Sequence, residues 1–369
     1  RAVLGPVLRE YIVSEAMAAL GIRTTRALAA VTTGKEILRE GLQPGAVLTR
    51  VARSHVRVGT FEFFANRGDT EGERVLADYV IARHYPDAAG AERPYRALLE
   101  MVIGATAELI ASWQLIGFIH GVMNTDNTSI AGETIDYGPC AFMDTFHPGT
   151  VYSSIDVTGR YAYGNQPGIA HWNLARFAQA MLPLLGDDEE AAIGAAQDTL
   201  DGFPARFAAA HLTGLRRKLG LMEERTDDAA LARDLFDRMA RNKADFTLTF
   251  RRLADAAGAV PDGDGPVRAL FDDPADFDGW AARWRQRLAT EQATAVARRA
   301  AMRAVNPAFI PRNHRVEAAL AVAHTRADFT LVDELLTVLS TPYDDQPAFA
   351  SYADPPTSDQ VVRETFCGT

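Results

Sequence analysis

The chain has 369 residues, of which 47% are hydrophobic, and its 38 basic and 48 acidic residues give a formal net charge of −10. This composition is typical of a globular protein with a large core, and the acidic balance argues against a general nucleic-acid binder. We therefore expect no nucleic-acid partner. No apolar run reaches about eighteen residues and no signal peptide is visible, so we expect no membrane partner. We also predict a monomer in the cytoplasm.

The predicted elements begin with a helix at Pro6–Leu20. Two strands follow, Arg26–Thr33 and Ala46–Ala52, and we expect a turn at Pro44–Gly45 to open the second one. The stretch Val56–Ala65 begins with an extended pattern and then turns helical. The first part of the chain therefore predicts one helix and a few strands.

Helical periodicity dominates from Thr70 onwards. Residues 98–116 predict one long and nearly all-apolar helix, and a loop rich in Gly, Ser, Thr and Tyr is expected at 144–167. Most of the chain up to about residue 340 is again helical in pattern, whereas the tail at 341–369 is expected to be irregular. Strands followed by a large helical body predict an α+β fold with segregated elements.

The segment Gly117–Asp144 follows the long helix directly and reads GFIHGVMNTDNTSIAGETIDYGPCAFMD. We expect the two short β-like runs between Asn127 and Asp136 to pair as a hairpin, which would bring these two side chains to one space. Carboxylate and amide oxygens are ligands that Mg²⁺ takes together with phosphate oxygens and water. A further carboxylate, Asp126, would then be available as a general base.

The polar residues of this segment also have a structural interpretation. An Asp and an Asn before a hairpin often only cap backbone amides in the turn. His120 is expected to hydrogen-bond backbone atoms rather than bind a ligand, because a lone histidine more often has a structural role. From spacing alone, a metal site and a plain turn both stay open.

The same segment resembles the catalytic segment of a protein kinase. Kinases place H-R-D-x-x-x-x-N before D-F-G, with the Asn and the second Asp on metal. Here HGVMNTDN keeps the His and the Asn at that spacing, and the triplet DYG at 136–138 stands for D-F-G. The position of the kinase base is Val122, however, and Asp126 lies beside the metal-site Asn instead, which argues against a plain kinase mechanism.

With Asp126 beside Asn127, the segment resembles that of one family, the selenoprotein O (SelO) pseudokinases. HGVMNTDN and TIDYGP are similar to its signature, and so are blocks from REYIVSEAMAALGIRTTRALA near the start to YDDQPAFASYADPP and FCGT at the end. The resemblance implies a bacterial protein with a kinase-like fold. It divides the chain into an incomplete, small, β-containing N-lobe at 1–69, a large, mainly helical C-lobe at 70–340 and a tail at 341–369.

The resemblance implies protein AMPylation. Proteins of this family bind ATP in a flipped pose relative to kinases, transfer AMP to a Ser, Thr or Tyr hydroxyl of a protein, and release pyrophosphate. Asp126 resembles their proton acceptor, whereas Asn127 and Asp136 resemble the ligands of Mg²⁺ or Mn²⁺, with Asp136 also near the nucleotide. Arg50 and Arg57 resemble two arginines that contact the ATP phosphates, a role that suits the guanidinium fork.

Several of these residues have competing interpretations. Glu10 resembles the glutamate of the kinase αC helix that pairs with the nucleotide-binding lysine, and Glu15 is its competitor on the same helix. If Arg50 does not contact phosphate, it is an exposed strand residue. If Arg57 does not, it is expected to pair with Glu62. Two other functions also stay open, namely a kinase-like phosphotransferase and a non-catalytic pseudokinase scaffold.

In this family the nucleotide-binding lysine and a Gly-rich loop precede the first helix, and neither is found in this sequence. We therefore interpret the chain as truncated before Arg1 and expect weak or no activity from it. Cys140 and Cys367 are too few for a disulfide framework and indicate a reducing compartment or at most one redox pair. Cys367 lies in the FCGT block, where some members carry selenocysteine, and both a Cys140–Cys367 bond and two unpaired thiols stay open.

Overall fold

The computed structural model describes residues 2–39, 41–258 and 263–366 of the chain. The described chain is mainly helical and contains two small antiparallel sheets, which confirms the predicted α+β class with a small β-containing lobe before a helical one. The strands are β1 (Arg26–Leu38), β2 (Leu42–Val51), β3 (Phe118–Ile119) and β4 (Ala141–Phe142). The α-helices are α1 (Leu4–Ala19), α2 (Val58–Ala65), α3 (Thr70–His84), α4 (Pro94–Leu115), α5 (Gln166–Ala180), α6 (Leu182–Leu185), α7 (Glu189–Leu200), α8 (Phe203–Lys218), α9 (Asp228–Arg241), α10 (Phe246–Ala256), α11 (Gly265–Arg268), α12 (Pro274–Leu288), α13 (Ala295–Arg303), α14 (Asn313–Arg326) and α15 (Thr330–Leu339).

The β1–β2 hairpin is longer than the sequence predicted. The expected turn at Pro44–Gly45 is wrong, because both residues lie inside β2 and Pro44 pairs with Glu36. An irregularity between Thr32 and Glu36 absorbs Gly34, which has a φ of 67°, so that β1 continues past it. Glycine adopts this backbone conformation without a Cβ clash, and a glycine in a strand therefore marks a bulge rather than an end.

Helix α1 lies between two hydrophobic cores. One side of it, with Val13 and Met17, packs into the central core together with residues of α4 and α5. The other side, with Leu8 and Ile12, packs with residues of α14 and α15 near the end of the chain. Helix α1 is therefore fixed on both sides, which gives it a defined position next to the segment 117–144.

Helix α4 is the long apolar helix that the sequence predicted. By length and composition alone, it is also the one helix within the described ranges that could cross a membrane. The sequence did not predict such a helix, because no apolar run in it reaches about eighteen residues. Buried residues such as Leu98, Val102 and Ile103 place it in the central core, and this packing accounts for its composition.

The predicted hairpin between Asn127 and Asp136 is wrong. Ser129 forms its bridge with Arg57, and Thr134 forms its bridge with Thr24, so the two runs pair with other segments and not with each other. The ends of the segment are joined instead, since β3 pairs with β4. The backbone groups of short runs are satisfied by whichever segments tertiary packing brings alongside, and here those segments follow α1 and precede α2.

Candidate active site

Asp126 and Asn127 lie in one short 3₁₀ turn, Thr125–Asn127, that directly follows Asn124. The Asn124 side chain accepts a hydrogen bond from the Asn127 backbone N–H at 2.9 Å, which closes the turn. The Asn127 side-chain nitrogen donates to the Val122 carbonyl at 3.1 Å, so its Oδ1 is the atom that remains for a ligand. Asp126 is exposed and Asn127 is partly buried, as residues that meet a ligand from solvent must be.

The first turn of α2 lies against Asp126. The Arg57 Nη1 donates to the Asp126 carbonyl at 3.2 Å, and the Val58 backbone N–H donates to Thr128 O at 2.9 Å. Gly59 approaches so closely that an added Cβ would overlap Asp126 Oδ1 and lie 3.1 Å from its Cγ. We call Arg57, Gly59, Asp126 and Asn127 the Asp126 cluster. Gly59 was not a sequence prediction, and its only signal was a glycine inside a helical pattern.

The alternative pairing of Arg57 with Glu62 is wrong. The Glu62 carboxylate accepts from the Arg176 Nε at 2.8 Å, and Arg57 is directed to the Asp126 backbone instead. A pairing between residues five apart was plausible from sequence, but α5 brings Arg176 closer. Arg57 is therefore held at the candidate site and not on the surface of α2.

A second group of predicted residues meets around Glu10, which is buried on α1. One of its carboxylate oxygens accepts from the Tyr137 backbone N–H at 2.7 Å, and the other accepts from the Arg50 Nε at 2.9 Å and from Nη2. We call Glu10, Arg50, Asp136 and Tyr137 the Asp136 cluster. Arg50 is thus not a free strand residue, since the carboxylate of α1 holds its guanidinium.

Glu15, the competitor of Glu10, faces elsewhere. Its carboxylate pairs with Arg26 and accepts from the Ala27 backbone N–H at 3.1 Å. The hydrogen bonds from Arg26 hold the pKa of this carboxyl below its ordinary value. Of the two acids, Glu10 is therefore the one in contact with the segment 136–138.

Asp136 has a φ of 70°, a left-handed conformation that few non-glycine residues adopt. Its Oδ1 accepts from the Gly138 N–H at 3.2 Å, a local bond of the kind that lets an aspartate tolerate this backbone. Tyr137 is fully buried, and its hydroxyl is hydrogen-bonded to Thr24 Oγ1. The buried tyrosine anchors the partly buried Asp136 that precedes it.

His120 connects the two clusters. Its ring is fully buried, with Nε2 2.9 Å from Ile135 O and Nδ1 accepting from the Val122 N–H at 3.3 Å. These partners require a neutral ring that donates from Nε2. Burial lowers the pKa of His120, against the opposing attraction of Asp136 and the Ile135 carbonyl. The structural interpretation of His120 is confirmed, because both ring nitrogens are occupied by backbone groups.

Two buried amides of α5 support the backbone around His120, and sequence reasoning missed both. Gln166 accepts from the His120 N–H at 3.0 Å and donates to Phe118 O at 2.9 Å. Asn173 donates to Met123 O at 2.9 Å. The two amides lie about two helical turns apart and therefore on one face of α5, which is the signal that was available in the sequence.

Buried arginines hold the end of the segment from far along the chain. Arg9 donates to Cys140 O at 3.1 Å and also pairs with Glu317 on α14. Arg312 pairs with Asp144 at 2.8 Å and with Asp245 at 2.7 Å. Buried charges need such partners, and their identity depends on tertiary packing that local sequence patterns do not reveal.

Cys140 is buried, and its thiol lies 3.2 Å from Tyr137 O as a donor. Burial raises the pKa of this thiol to about 12. Since the thiolate is the reactive form, Cys140 is a structural thiol in this conformation. Cys367 lies outside the described residues, and the Cys140–Cys367 pairing stays untested.

Within the described ranges, no three His, Cys, Asp or Glu side chains converge as a metal site made of protein alone. Asn127 Oδ1 and the Asp136 carboxylate are hard oxygen donors on partly buried residues. Mg²⁺ bound with few protein ligands completes its shell with water and phosphate oxygens. The two side chains fit a cation that arrives with a nucleotide, and they do not make a closed metal cage.

The chain matches the sequence model of a family described as protein adenylyltransferase SelO over residues 1–340. It is 65% identical over 369 residues to the protein nucleotidyltransferase YdiU of Rhodopseudomonas palustris strain BisB5. The aligned region covers 100% of this chain and 75% of that relative. The protein of the same name from Bradyrhizobium sp. strain BTAi1 is 64% identical over 369 residues, with the same coverage. That from Methylorubrum populi strain BJ001 is 63% identical over 374 residues, again covering 100% of this chain and 75% of the relative. All three relatives are bacterial.

Proposed function

The chain belongs to the SelO family of protein adenylyltransferases, and from this premise we propose that it transfers AMP from ATP to Ser, Thr or Tyr hydroxyls of proteins. The observation that carries the proposal is the position of Asp126. It is exposed in the same turn as Asn127, while Val122, at the kinase base position, is buried. A buried valine cannot accept a proton, and an exposed carboxylate beside the candidate metal ligand can.

In the proposed reaction the Asp126 carboxylate accepts the proton of the attacking hydroxyl. The hydroxyl oxygen forms a bond to the α-phosphorus of ATP, and the bond between this phosphorus and the bridging oxygen breaks, which releases pyrophosphate. General-base assistance of this kind contributes about 10²–10⁴-fold to a rate. The close contact with Gly59 fixes where the carboxylate lies before substrate arrives.

Asn127 and Asp136 would hold Mg²⁺ or Mn²⁺, both of which take oxygen ligands. When bound, the cation neutralises phosphate charge as the leaving group departs. Asn127 is prepared for this role because its amide nitrogen is already bound to Val122 O. Asp136 is prepared by its left-handed backbone and by the buried tyrosine that follows it.

Arg50 and Arg57 are the proposed phosphate contacts. Arginine has five N–H donors, and the pair with Glu10 uses those on Nε and Nη2 of Arg50, which leaves Nη1 for an anion. In Arg57, Nη1 donates to Asp126 O, and Nε is buried without a hydrogen-bond partner in the described part of the chain. Glu10 orients Arg50 and the segment 136–138, since its carboxylate accepts from the Arg50 guanidinium and from the Tyr137 N–H.

The reaction is tested on the chain extended at its N-terminus by the family's lysine and Gly-rich loop, because we expect weak or no activity from the chain without them. The assay contains ATP labelled at either the α- or the γ-phosphate, Mg²⁺ or Mn²⁺, and a protein acceptor. Label transferred from the α-position alone is the expected result. Transfer from the γ-position alone would identify a phosphotransferase, and no transfer from either would favour a scaffold that binds nucleotide without turning it over.

The Asp126→Asn variant tests the base separately. We expect a loss of about 10²–10⁴-fold in transfer with ATP affinity within a factor of two, because the carboxylate contacts the acceptor and not the nucleotide. Asp87→Asn, a substitution at an exposed site on the loop before α4, is the matched control and should leave transfer unchanged. Full activity of Asp126→Asn would remove the base assignment while leaving the family membership intact.

A further inference from the structure

A cavity opens at the far end of α2, away from the turn that meets Asp126. Its volume is about 330 Å³, within the range of small-molecule sites. It is enclosed by the end of α2, the first turn of α3, the end of α5 and the start of α6. Its polar wall consists of Glu62, Asn66, Asp69, Glu73, Arg176 and Gln179.

Glu73 sets this cavity apart from the rest of the molecule. The residue is 0% exposed, and both of its carboxylate oxygens are buried without a hydrogen-bond partner in the described ranges. Asp228, at 1% exposure, shows the usual arrangement, since its two oxygens accept from Arg216 and Arg287 at 2.8 Å each. A carboxylate that is buried with neither a donor nor a counter-charge is rare in a folded protein and indicates a missing partner.

The other charged groups of the wall do not supply this partner. Arg176 is engaged by Glu62 through Nε at 2.8 Å and by Gln179 through Nη1 at 2.7 Å. Asp69 caps α3 by accepting from the Gly72 N–H at 2.9 Å, and it adds a further negative charge. The carbonyl ends of α2 and α5 also face this region, and helix C-termini favour cations. The cavity thus has an excess of negative charge and one unsatisfied carboxylate.

We propose that this cavity binds a guanidinium group carried on an alkyl stem, with the Glu73 carboxylate as its counter-charge. A planar guanidinium presents two parallel N–H donors, and these match a carboxylate whose two oxygens have no hydrogen-bond partner in the described ranges. Because both oxygens are covered in this structure, the ligand reaches them only when side chains of the cavity wall move aside. A bare divalent cation does not fit, because the acids of the described chain do not converge as metal ligands. The inference is independent of the chemistry at Asp126.

The proposal is tested by following NMR chemical shifts of the protein during titration with methylguanidinium at pH 8 and low ionic strength. N-acetyl-arginine methylamide in a parallel arm stands for an arginine within a polypeptide. Binding of methylguanidinium alone identifies a site for a free small molecule, and binding of both extends it to an arginine side chain. If neither ligand gives saturable shifts at α2, α3 and α5, the proposal is wrong.

Two variants assign the effect to the carboxylate. Glu73→Gln keeps the size of the side chain and removes its charge, and we expect at least a tenfold weaker affinity. Glu71→Gln, on the exposed side of the same helical turn, is the matched control and should bind like the wild type. Equal affinity in the two variants would overturn the role of Glu73.

A measurement on the wild type covers the case in which Glu73→Gln does not fold. Burial raises the pKa of Glu73 to about 7, and its carboxyl titration is observable by NMR. Methylguanidinium should lower the pKa of Glu73 by at least one unit, because a bound cation favours the ionised carboxylate. Among the charged groups of the wall, Glu62 and Asp69 oppose this ionisation and Arg176 favours it. An unchanged titration in the presence of saturating ligand would also overturn the proposal.

Discussion

The Asp126 cluster and the Asp136 cluster make up the site that we propose, and they are held in place by different contacts. In the first, Asn124 and Val122 orient Asn127 from within the same loop, and Arg57 and Gly59 at the start of α2 contact Asp126. The second depends on Glu10, which reaches Tyr137 from 127 residues earlier in the chain. The Asp126 cluster should therefore tolerate changes in α1, and the Asp136 cluster should not.

The difference also concerns burial. Asp126 is exposed, and the contacts beneath it come from the first turn of α2. The Asp136 cluster rests on a buried carboxylate and a fully buried tyrosine, both inside the packing of α1. Substitutions in the first cluster should change activity more than stability, and substitutions in the second should change stability first.

Replacing Glu10 should produce the largest loss of stability. Glu10→Ala leaves the partly exposed Arg50 guanidinium and the buried Tyr137 N–H without their acceptor, and losing hydrogen bonds to a charged group costs about 1.5–3 kcal/mol. The free energy of unfolding from urea denaturation gives the measurement. Glu15→Ala is the control on the same helix, and its more exposed pair with Arg26 predicts a loss of at most about 1 kcal/mol. Equal losses in the two variants would show that α1 does not hold the Asp136 cluster in the proposed way.

A methyl group at Gly59 tests the other cluster. In Gly59→Ala the new Cβ overlaps the Asp126 carboxylate, and we expect about a 10–100-fold loss of AMP transfer, or roughly 1.4–2.7 kcal/mol in barrier height. Stability should stay the same or rise slightly, because alanine is the better helix former. Gly5→Ala in α1, where an added Cβ meets nothing within 4 Å, is the matched control. Unchanged transfer in Gly59→Ala would show that the position of Asp126 is not set by α2.

Acidification should weaken the connection between the clusters through His120. Since burial lowers the pKa of the folded, neutral ring, the unfolded chain takes up the proton first as pH falls below about 6.5. The contribution of His120 to stability is therefore complete above this pH and declines as the pH falls below it.

The burial of His84, His211 and His314 also lowers their pKa values, so the wild type alone does not isolate this effect. His120→Gln should flatten the pH dependence of the unfolding free energy between pH 7.5 and 5.5, whereas His55→Gln at an exposed site should not. Parallel curves for wild type and His120→Gln would contradict this assignment.

The sequence predicted what depends on local pattern and motif spacing. The first helix was expected at Pro6–Leu20 and is found at Leu4–Ala19, because apolar periodicity and a following glycine mark it without reference to the rest of the chain. The proximity of Asp126 and Asn127 follows from adjacency alone. The family resemblance located the DYG triplet and favoured Glu10 over Glu15, and in the structure Glu10 is the acid that contacts Tyr137.

What the sequence did not predict depends on contacts between distant segments. The expected hairpin failed because Ser129 and Thr134 pair with Arg57 and Thr24, and no local pattern shows which partner a short run will take. Asn313, which is hydrogen-bonded to the backbone of Phe142 from 171 residues away, gave no signal for the same reason. Side-chain burial and long-range pairing come from packing, which the sequence determines only as a whole.

The smallest expected effect comes from Tyr137→Phe, and it bears on how the Asp136 cluster is anchored. The substitution keeps the buried ring and removes the hydroxyl that is bonded to Thr24, whose own hydroxyl still donates to Thr25 O at 2.8 Å. Since no buried donor is left unpaired, the loss should be about 0.5–1.5 kcal/mol, below that for Glu10→Ala. Tyr11→Phe, on α1, is the control, and its hydroxyl has no hydrogen bond to the described part of the chain. A loss for Tyr137→Phe as large as that for Glu10→Ala would mean that the phenol, and not the carboxylate of α1, carries the anchoring of Asp136.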